Sequence, residues 1–94
     1  MGDQKMFKTK AEEGNNVCGG NVYRIRKSFL PKMSQRMLAE KLQLAGMDVD
    51  KNAVQRIECG KRFVTDIELV ALSLALRVPV SDLLEGSSPY PERY

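Results

Sequence analysis

The chain has 94 residues, 43% of them hydrophobic, which is enough for one small domain with a single core. Because it contains no histidine and only two cysteines, it cannot by itself supply the roughly four nitrogen or sulfur ligands of a structural zinc site. Its net charge is +3. The absence of a long apolar run or an apolar leader argues against a membrane span or secretion, so we expect a cytoplasmic protein.

The charge is unevenly distributed along the chain. Between Arg24 and Arg62 there are ten basic residues against four acidic ones, a local charge of +6. Between Phe63 and Tyr94 there are two basic residues against five acidic ones, a local charge of −3. A basic half beside an acidic half predicts an oriented approach to a polyanion.

The beginning of the chain predicts a loose segment followed by a first helix. Residues 1–16 show no clear periodicity and are compatible with a short strand or a loose arm, and residues 1–18 are expected to form a mostly flexible N-terminal arm. Gly19-Gly20-Asn21 has the composition of a helix start, and Pro31 ends that helix at or before Leu30. Its buried face is predicted to contain Val22, Ile25 and Phe29, with Leu30 as an optional further member, and its outer face Arg24, Arg26 and Lys27.

The stretch Ser34–Arg62 predicts two short helices joined by a turn. Ser34 can cap the first helix and Asp50 the second, and the glycines Gly46 and Gly60 can end them. The apolar residues at near-helical spacing are Met37, Leu38, Leu42 and Ala45 in the first helix and Ala53, Val54 and Ile57 in the second. The second helix is predicted to expose long polar side chains, namely Lys51, Asn52, Gln55 and Arg56.

The last part of the chain predicts two further helices. Thr65 and Glu68 fit a capping box before the clearest helical period in the sequence. The predicted buried stripe is Ile67, Val70, Ala71, Leu74 and Ala75, with Leu69, Leu72 and Leu76 widening the apolar surface. Ser81 can cap a last short helix over 82–85, and residues 87–94 form a Pro-rich tail that we expect to be flexible. The fold class is therefore all-α with five helices and no sheet.

The order of these parts resembles the Cro/repressor-type (XRE-like) helix-turn-helix family. The resemblance lies in Ser34-Gln35, in Leu38-Ala39 and in the run from Val54 to Gly60, and it covers about residues 20 to 85. The segment Gln43–Asp50 departs from the family pattern because it makes the turn several residues longer. The resemblance implies a five-helix repressor-type domain over residues 19–86. It also implies that Arg26 pairs with an acid inside the domain, either Glu40 or Glu58.

The resulting functional hypothesis is a sequence-specific transcriptional regulator of prokaryotic or phage type that binds double-stranded DNA. Arg pairs bidentately with guanine, and Asn and Gln pair with adenine, so the base contacts are assigned to Lys51, Asn52, Gln55 and Arg56. Helix N-termini and basic side chains favour phosphate, so the backbone contacts are assigned to Ser34, Gln35, Arg36, Lys61, Arg62 and Thr65. The lysines of the N-terminal arm could also embrace DNA, although a disordered tail is the favoured interpretation.

Other interpretations of the same residues stay open. A protein-binding module or antitoxin could use the same helical fold, because fold does not determine function. An enzyme is not expected, since there is no histidine and no Gly-rich phosphate loop, and we expect no cofactor, metal or small-molecule substrate. For Cys59, an inert reduced thiol is favoured over a thiol switch.

The resemblance also implies assembly, since members of the family commonly bind DNA as two-fold dimers. We expect a weak homodimer through the last two helices, and its apolar contacts are drawn from Leu72, Leu76, Leu83 and Leu84 with Tyr90 and Tyr94. The alternative is that these leucines close the core of the monomer and that the tyrosines are loose.

Overall fold

The computed structural model describes residues 14–86, which form five α-helices and no strand, so the predicted all-α class is confirmed for this part of the chain. The helices are α1 (Gly19–Lys27), α2 (Gln35–Leu44), α3 (Lys51–Glu58), α4 (Asp66–Leu76) and α5 (Val80–Leu83). The predicted tail, residues 87–94, and residues 1–13 of the predicted arm lie outside the described residues. Every helix within residues 14–86 is too short or too polar to cross a bilayer.

Three helices begin at the caps that the sequence predicts. The side chains of Ser34, Asp50 and Thr65 each accept a hydrogen bond from the backbone N–H three residues further along. Glu68 completes the predicted capping box by accepting the Thr65 N–H at 3.1 Å. These bonds satisfy helix-end amides that would otherwise lack a partner within the helix.

The start of α5 differs from the prediction. Ser81 lies inside the helix, because the helical backbone already begins at Val80, directly after the extended Pro79. No side chain caps this helix, which is held from the other end of the chain instead. The Asn21 side-chain amide of α1 donates to the carbonyl oxygens of Leu83 and Glu85, both at 2.9 Å.

The core is aliphatic and is shared by all five helices. Helix α2 packs against α3 and α4, while α1 packs against α3, α4 and α5. In α2 the predicted stripe is only half correct, because Met37 and Ala45 are exposed and Ala39 is buried in their place. The large side chains that are fully enclosed are Val22, Leu38, Leu42, Val54, Ile57, Leu72, Leu76 and Leu83.

The predicted buried stripe of α4 is wrong for its three large residues, although Ala71 is buried and Ala75 is half-buried as predicted. Ile67 is 79% exposed, Leu74 68% and Val70 50%, whereas Leu72 and Leu76 on the other side are fully buried. Helix α4 is apolar around almost its whole circumference, so periodicity alone does not identify which side faces inward. Its contacts with α1, α2 and α5 decide the question.

This orientation also corrects the surface expected for the homodimer. Leu72, Leu76 and Leu83 are buried within the monomer and are unavailable for contact with a second chain. The alternative, in which these leucines close the monomer core, is what the structure has. Tyr90 and Tyr94 lie outside the described residues.

The long turn between α2 and α3 is a packed segment. Gly46 has a φ of 92°, a left-handed conformation that glycine adopts without strain, and it turns the chain out of α2. Met47 and Val49 are then buried in the core. The Gln43 side-chain amide donates to the Val49 carbonyl oxygen at 2.6 Å and ties the turn to α2. The extra residues therefore enlarge the core between the two helices.

Candidate nucleic-acid interface

Helix α3 has one buried face and one exposed polar face. Its inner residues Val54 and Ile57 have no solvent exposure and lie in the core. Since this helix has eight residues and could not persist alone in water, its position depends on that packing. The four residues predicted to contact bases are all exposed: Lys51, Asn52, Gln55 and Arg56.

The end of α3 is attached to α1 and α2 by a buried ion pair. Arg26 Nε donates to Glu58 Oε2 at 2.6 Å, and Arg26 Nη2 donates to Glu58 Oε1 at 3.0 Å. A third donor, Gln35 Nε2, reaches Glu58 Oε1 at 2.9 Å, and Arg26 Nη1 donates to the Met33 carbonyl oxygen at 2.9 Å. The internal pairing expected for Arg26 is confirmed with Glu58 as its partner, and the outward orientation first predicted for Arg26 is wrong because this carboxylate draws it inward.

Three predicted phosphate contacts lie together at the start of α2. The Ser34 hydroxyl accepts the Met37 N–H at 3.0 Å as the helix cap. Gln35 is half-buried, because its side-chain amide bonds to Glu58. Arg36 extends into solvent. Of these three side chains, Arg36 therefore has the greatest reach toward an anion.

The loop after α3 presents one exposed cation and one paired cation. Lys61 is exposed, and its backbone N–H bonds to the Arg56 carbonyl oxygen at 2.8 Å. Arg62 is half-buried and binds Glu68 with a 3.1 Å separation of Nη1 and Oε1. Lys61 is therefore the stronger candidate for a direct phosphate contact, since Arg62 already has a carboxylate partner.

The same interactions change the acidity of Glu68. Partial burial alone would raise the pKa of its carboxyl group. The hydrogen bond from the Thr65 N–H and the guanidinium of Arg62 outweigh that effect, so the pKa of Glu68 lies below its ordinary value. The acid that orients Arg62 beside Thr65 therefore keeps its charge to lower pH than an isolated glutamate.

Sequence reasoning missed a latch formed by Asn15 and Asn16, which joins the first described residues to the end of α3. Asn16 Nδ2 donates to the carbonyl oxygens of Ile57 at 3.1 Å and Arg62 at 2.8 Å. Asn15 donates through its side chain to the Lys61 carbonyl oxygen at 3.0 Å and through its backbone to the Gly60 carbonyl oxygen at 2.6 Å. These residues of the predicted arm therefore hold the basic loop in place.

One local signal for this latch exists in the sequence. Asn16 Oδ1 also accepts the Gly19 N–H at 2.8 Å, and asparagine three residues before a helical amide is typical of a helix cap. Capping logic could therefore have identified its bond to α1. The bonds to residues 57–62 could not be found in this way, because they join positions 41 to 46 residues apart.

The two cysteines have different surroundings. Cys18 is buried, and burial raises the pKa of its thiol, although a backbone hydrogen bond opposes this. Cys59, at the end of α3, is exposed. Within residues 14–86 no group of three or more His, Cys, Asp or Glu side chains is placed to hold a metal ion.

Comparison with known proteins does not identify the chain, because no protein family, curated protein or solved structure compared with it matches.

Proposed function

We propose that this protein is a sequence-specific DNA-binding transcriptional regulator of prokaryotic or phage type. The observation that carries the proposal is helix α3, whose inner face is fully buried while its outer face presents Lys51, Asn52, Gln55 and Arg56. These side chains are the types that pair with base edges in the major groove of DNA. A short helix that exposes such a row needs rigid support to read a sequence.

The surroundings of α3 support the same proposal. The Arg26–Glu58 ion pair and the Asn15–Asn16 latch hold its C-terminal end and the loop that follows. That loop presents Lys61, and the start of α2, which Gln35 joins to Glu58, presents Arg36, so two exposed cations lie on the segments next to the C-terminal end of α3. Cations in these places would bind phosphates and orient α3, whereas its side chains would distinguish sequences.

Selection from random duplexes tests the proposal directly. The purified full chain would be mixed with random double-stranded DNA, and the bound fraction would be sequenced over successive rounds. We expect one enriched motif, because base contacts discriminate between sequences by about 1–3 kcal/mol per contacted pair. A bound pool with no enrichment would contradict the proposed function.

Two classes of variant test the division of roles within the site. Gln55→Ala should relax base preference at one or two positions of the selected motif and cost about 1–3 kcal/mol on that motif. Lys61→Ala should weaken binding to all duplexes alike and reduce the slope of log K against log salt by about one. Titration of matched and mismatched duplexes at several salt concentrations measures both effects, and identical behaviour of the two variants would contradict the assignment.

A protein-binding module or antitoxin is the second candidate function. The exposed aliphatic side chains of α4 favour it, because a helix face of this kind suits protein contact. Salt dependence separates the two candidates. DNA binding should weaken steeply with added salt through release of counterions, whereas an apolar protein contact should change little.

A further inference from the structure

Helix α4 presents an apolar seam to solvent. Ile67, Val70 and Leu74 are exposed at positions i, i+3 and i+7, the spacing at which helices pair along a seam. Beside them, α4 and the turn after α2 enclose a shallow groove of about 330 Å³, lined mainly by apolar residues that include Ala45 and Met47. Such a seam over a groove marks an interaction surface.

A further exposed apolar residue directly precedes Ala45 of the groove in the sequence. Leu44, the last residue of α2, is 90% exposed. Helix α4 carries apolar residues on all sides, a pattern typical of a helix that is covered all round. The monomer covers only the side with Leu72 and Leu76, so the opposite side lacks its cover within residues 14–86.

The charged residues at the two ends of α4 indicate which partner covers its exposed apolar side. The helix has 11 residues, about three turns, so Asp66 at its start and Arg77 at its C-cap lie near one line along the helix. Both residues are exposed, and Asp66 lies one turn before Val70 on the same side of the seam. Acid at one end and base at the other make this face complementary to an antiparallel copy of itself.

We propose that the α4 face is the interface of a homodimer in which two α4 helices pack antiparallel about a two-fold axis. Ile67 of each copy lies opposite Leu74 of the other, and each Asp66 lies within reach of the other copy's Arg77. A two-fold axis requires such a self-complementary patch. None of these residues is assigned to DNA contact, so the interface stands independently of the proposed function.

Sedimentation equilibrium of the full chain without DNA tests the interface. We expect a monomer–dimer equilibrium with a dissociation constant of about 1 µM to 1 mM, the range of small interfaces. Leu74→Ser should weaken the dimer about 100-fold, because each variant dimer loses two buried leucine side chains. The matched control is Leu30→Ser, since Leu30 is 92% exposed and lies outside this face, and it should leave the equilibrium unchanged.

A charge exchange identifies the antiparallel arrangement. Asp66→Lys alone and Arg77→Asp alone should each associate about tenfold or more weakly than wild type, because each places like charges together twice in its homodimer. An equimolar mixture of the two variants should form a heterodimer, since both contacts are then between opposite charges. This readout does not depend on a small loss of monomer stability, because the mixture contains the same two variant chains that are measured alone.

Three outcomes would overturn the proposal. The first is a wild-type protein that remains monomeric up to about 1 mM. The second is a dimer that Leu74→Ser does not weaken. The third is a mixture of the charge variants that associates no better than either variant alone. A monomer that dimerises only after removal of residues 87–94 would assign the face to those residues, and a monomer that binds a different protein there would assign it to that partner.

Discussion

Glu58 shows how one buried carboxylate can set the position of a whole helix. It lies at the C-terminal end of α3 and accepts three hydrogen bonds, two from Arg26 on α1 and one from Gln35 on α2. A buried ion pair contributes little net stability compared with apolar residues of the same shape, but loss of one partner is costly. The main effect of Glu58 is therefore on geometry, because its three hydrogen bonds bring α1, α2 and α3 together at the proposed DNA-binding surface.

Removal of the Arg26 side-chain charge should therefore lower the stability of the domain. Arg26→Met leaves Glu58 as an uncompensated buried charge, and we expect the free energy of unfolding to fall by about 3–5 kcal/mol. The measurement is urea denaturation at pH 7 followed by circular dichroism. Arg24→Met, on the exposed side of the same helix, is the control and should change stability by no more than about 0.5 kcal/mol. Equal effects of the two variants would show that the ion pair does not hold α3.

Glu68 supplies a prediction about pH. Because its folded-state pKa is lower than its unfolded value, its charge contributes stability that is fully present above the unfolded pKa of about 4.3 and is lost as pH falls through the folded pKa. Glu68→Gln keeps the capping geometry but removes the charge. We expect the variant to be less stable than wild type by about 0.3–1 kcal/mol at pH 7, after allowance for solvent screening.

The same two proteins should become equally stable in acid. Urea denaturation at pH 7, 5 and 3 measures the difference, which should shrink as the pH falls through the lowered folded-state pKa of Glu68, because the wild-type carboxyl group then takes up a proton. A difference that is constant across this range would mean that the charge of Glu68 does not stabilise the fold through Arg62.

At the scale of the helix, the orientation of α4 is tested by two leucines on opposite sides of it. Leu72→Ala should cost about 2–5 kcal/mol, because Leu72 is fully buried in the core. Leu74→Ala should cost less than about 1 kcal/mol in dilute protein, because Leu74 is largely exposed in the monomer. Thermal and urea denaturation of both variants provide the comparison, and the reverse order of cost would restore the orientation that periodicity predicts.

Helix α4 also shows where prediction from sequence ends. Local signals identified the five helices, and the caps at Ser34, Asp50 and Thr65 were correct because capping depends on residues within one turn of each other. The inward side of α4 was not predicted, because an all-round apolar helix has no preferred side until its neighbours are placed. The same holds for the long turn, whose Met47 and Val49 have no local pattern that indicates burial.

The proposed DNA-binding site follows the same rule. Exposure of the polar residues on α3 was predictable from the spacing of Val54 and Ile57. The contacts that hold α3 in place were less predictable from the sequence. The Arg26–Glu58 pairing was reached only through a family resemblance, and the bonds of Asn15 and Asn16 to the loop were missed, since they depend on contacts between distant parts of the chain.

At the scale of the whole molecule, the bonds of Asn15 and Asn16 predict that a stable truncated domain must begin before Asn15 rather than at Gly19. A chain of residues 14–86 contains all of the core seen in the described part of the fold and the bonds of Asn15 and Asn16, so it should melt within a few degrees of the full chain. A chain of residues 19–86, the boundary that the sequence predicts, loses those bonds and the buried Cys18. It should be less stable by about 2–6 kcal/mol, since the latch makes four hydrogen bonds to residues 57–62 and each contributes about 0.5–1.5 kcal/mol.

Thermal unfolding of the two truncated chains beside the full chain measures this difference. The longer truncated chain is the control for loss of residues outside the described part of the fold. Equal melting temperatures for residues 14–86 and 19–86 would show that the latch does not contribute to stability.

The bonds of α1 have a consequence for how the protein is made. Translation proceeds from the N-terminus, so Asn16 and Asn21 leave the ribosome before their hydrogen-bond partners. These partners are Ile57, Arg62, Leu83 and Glu85. The first of the described helices therefore lacks part of its docking surface until almost all of residues 14–86 has been translated. An arrested nascent chain that exposes residues only as far as Leu76 would already contain the α3 and α4 surfaces against which α1 packs, but it would lack the two bonds of Asn21 that join α1 to α5.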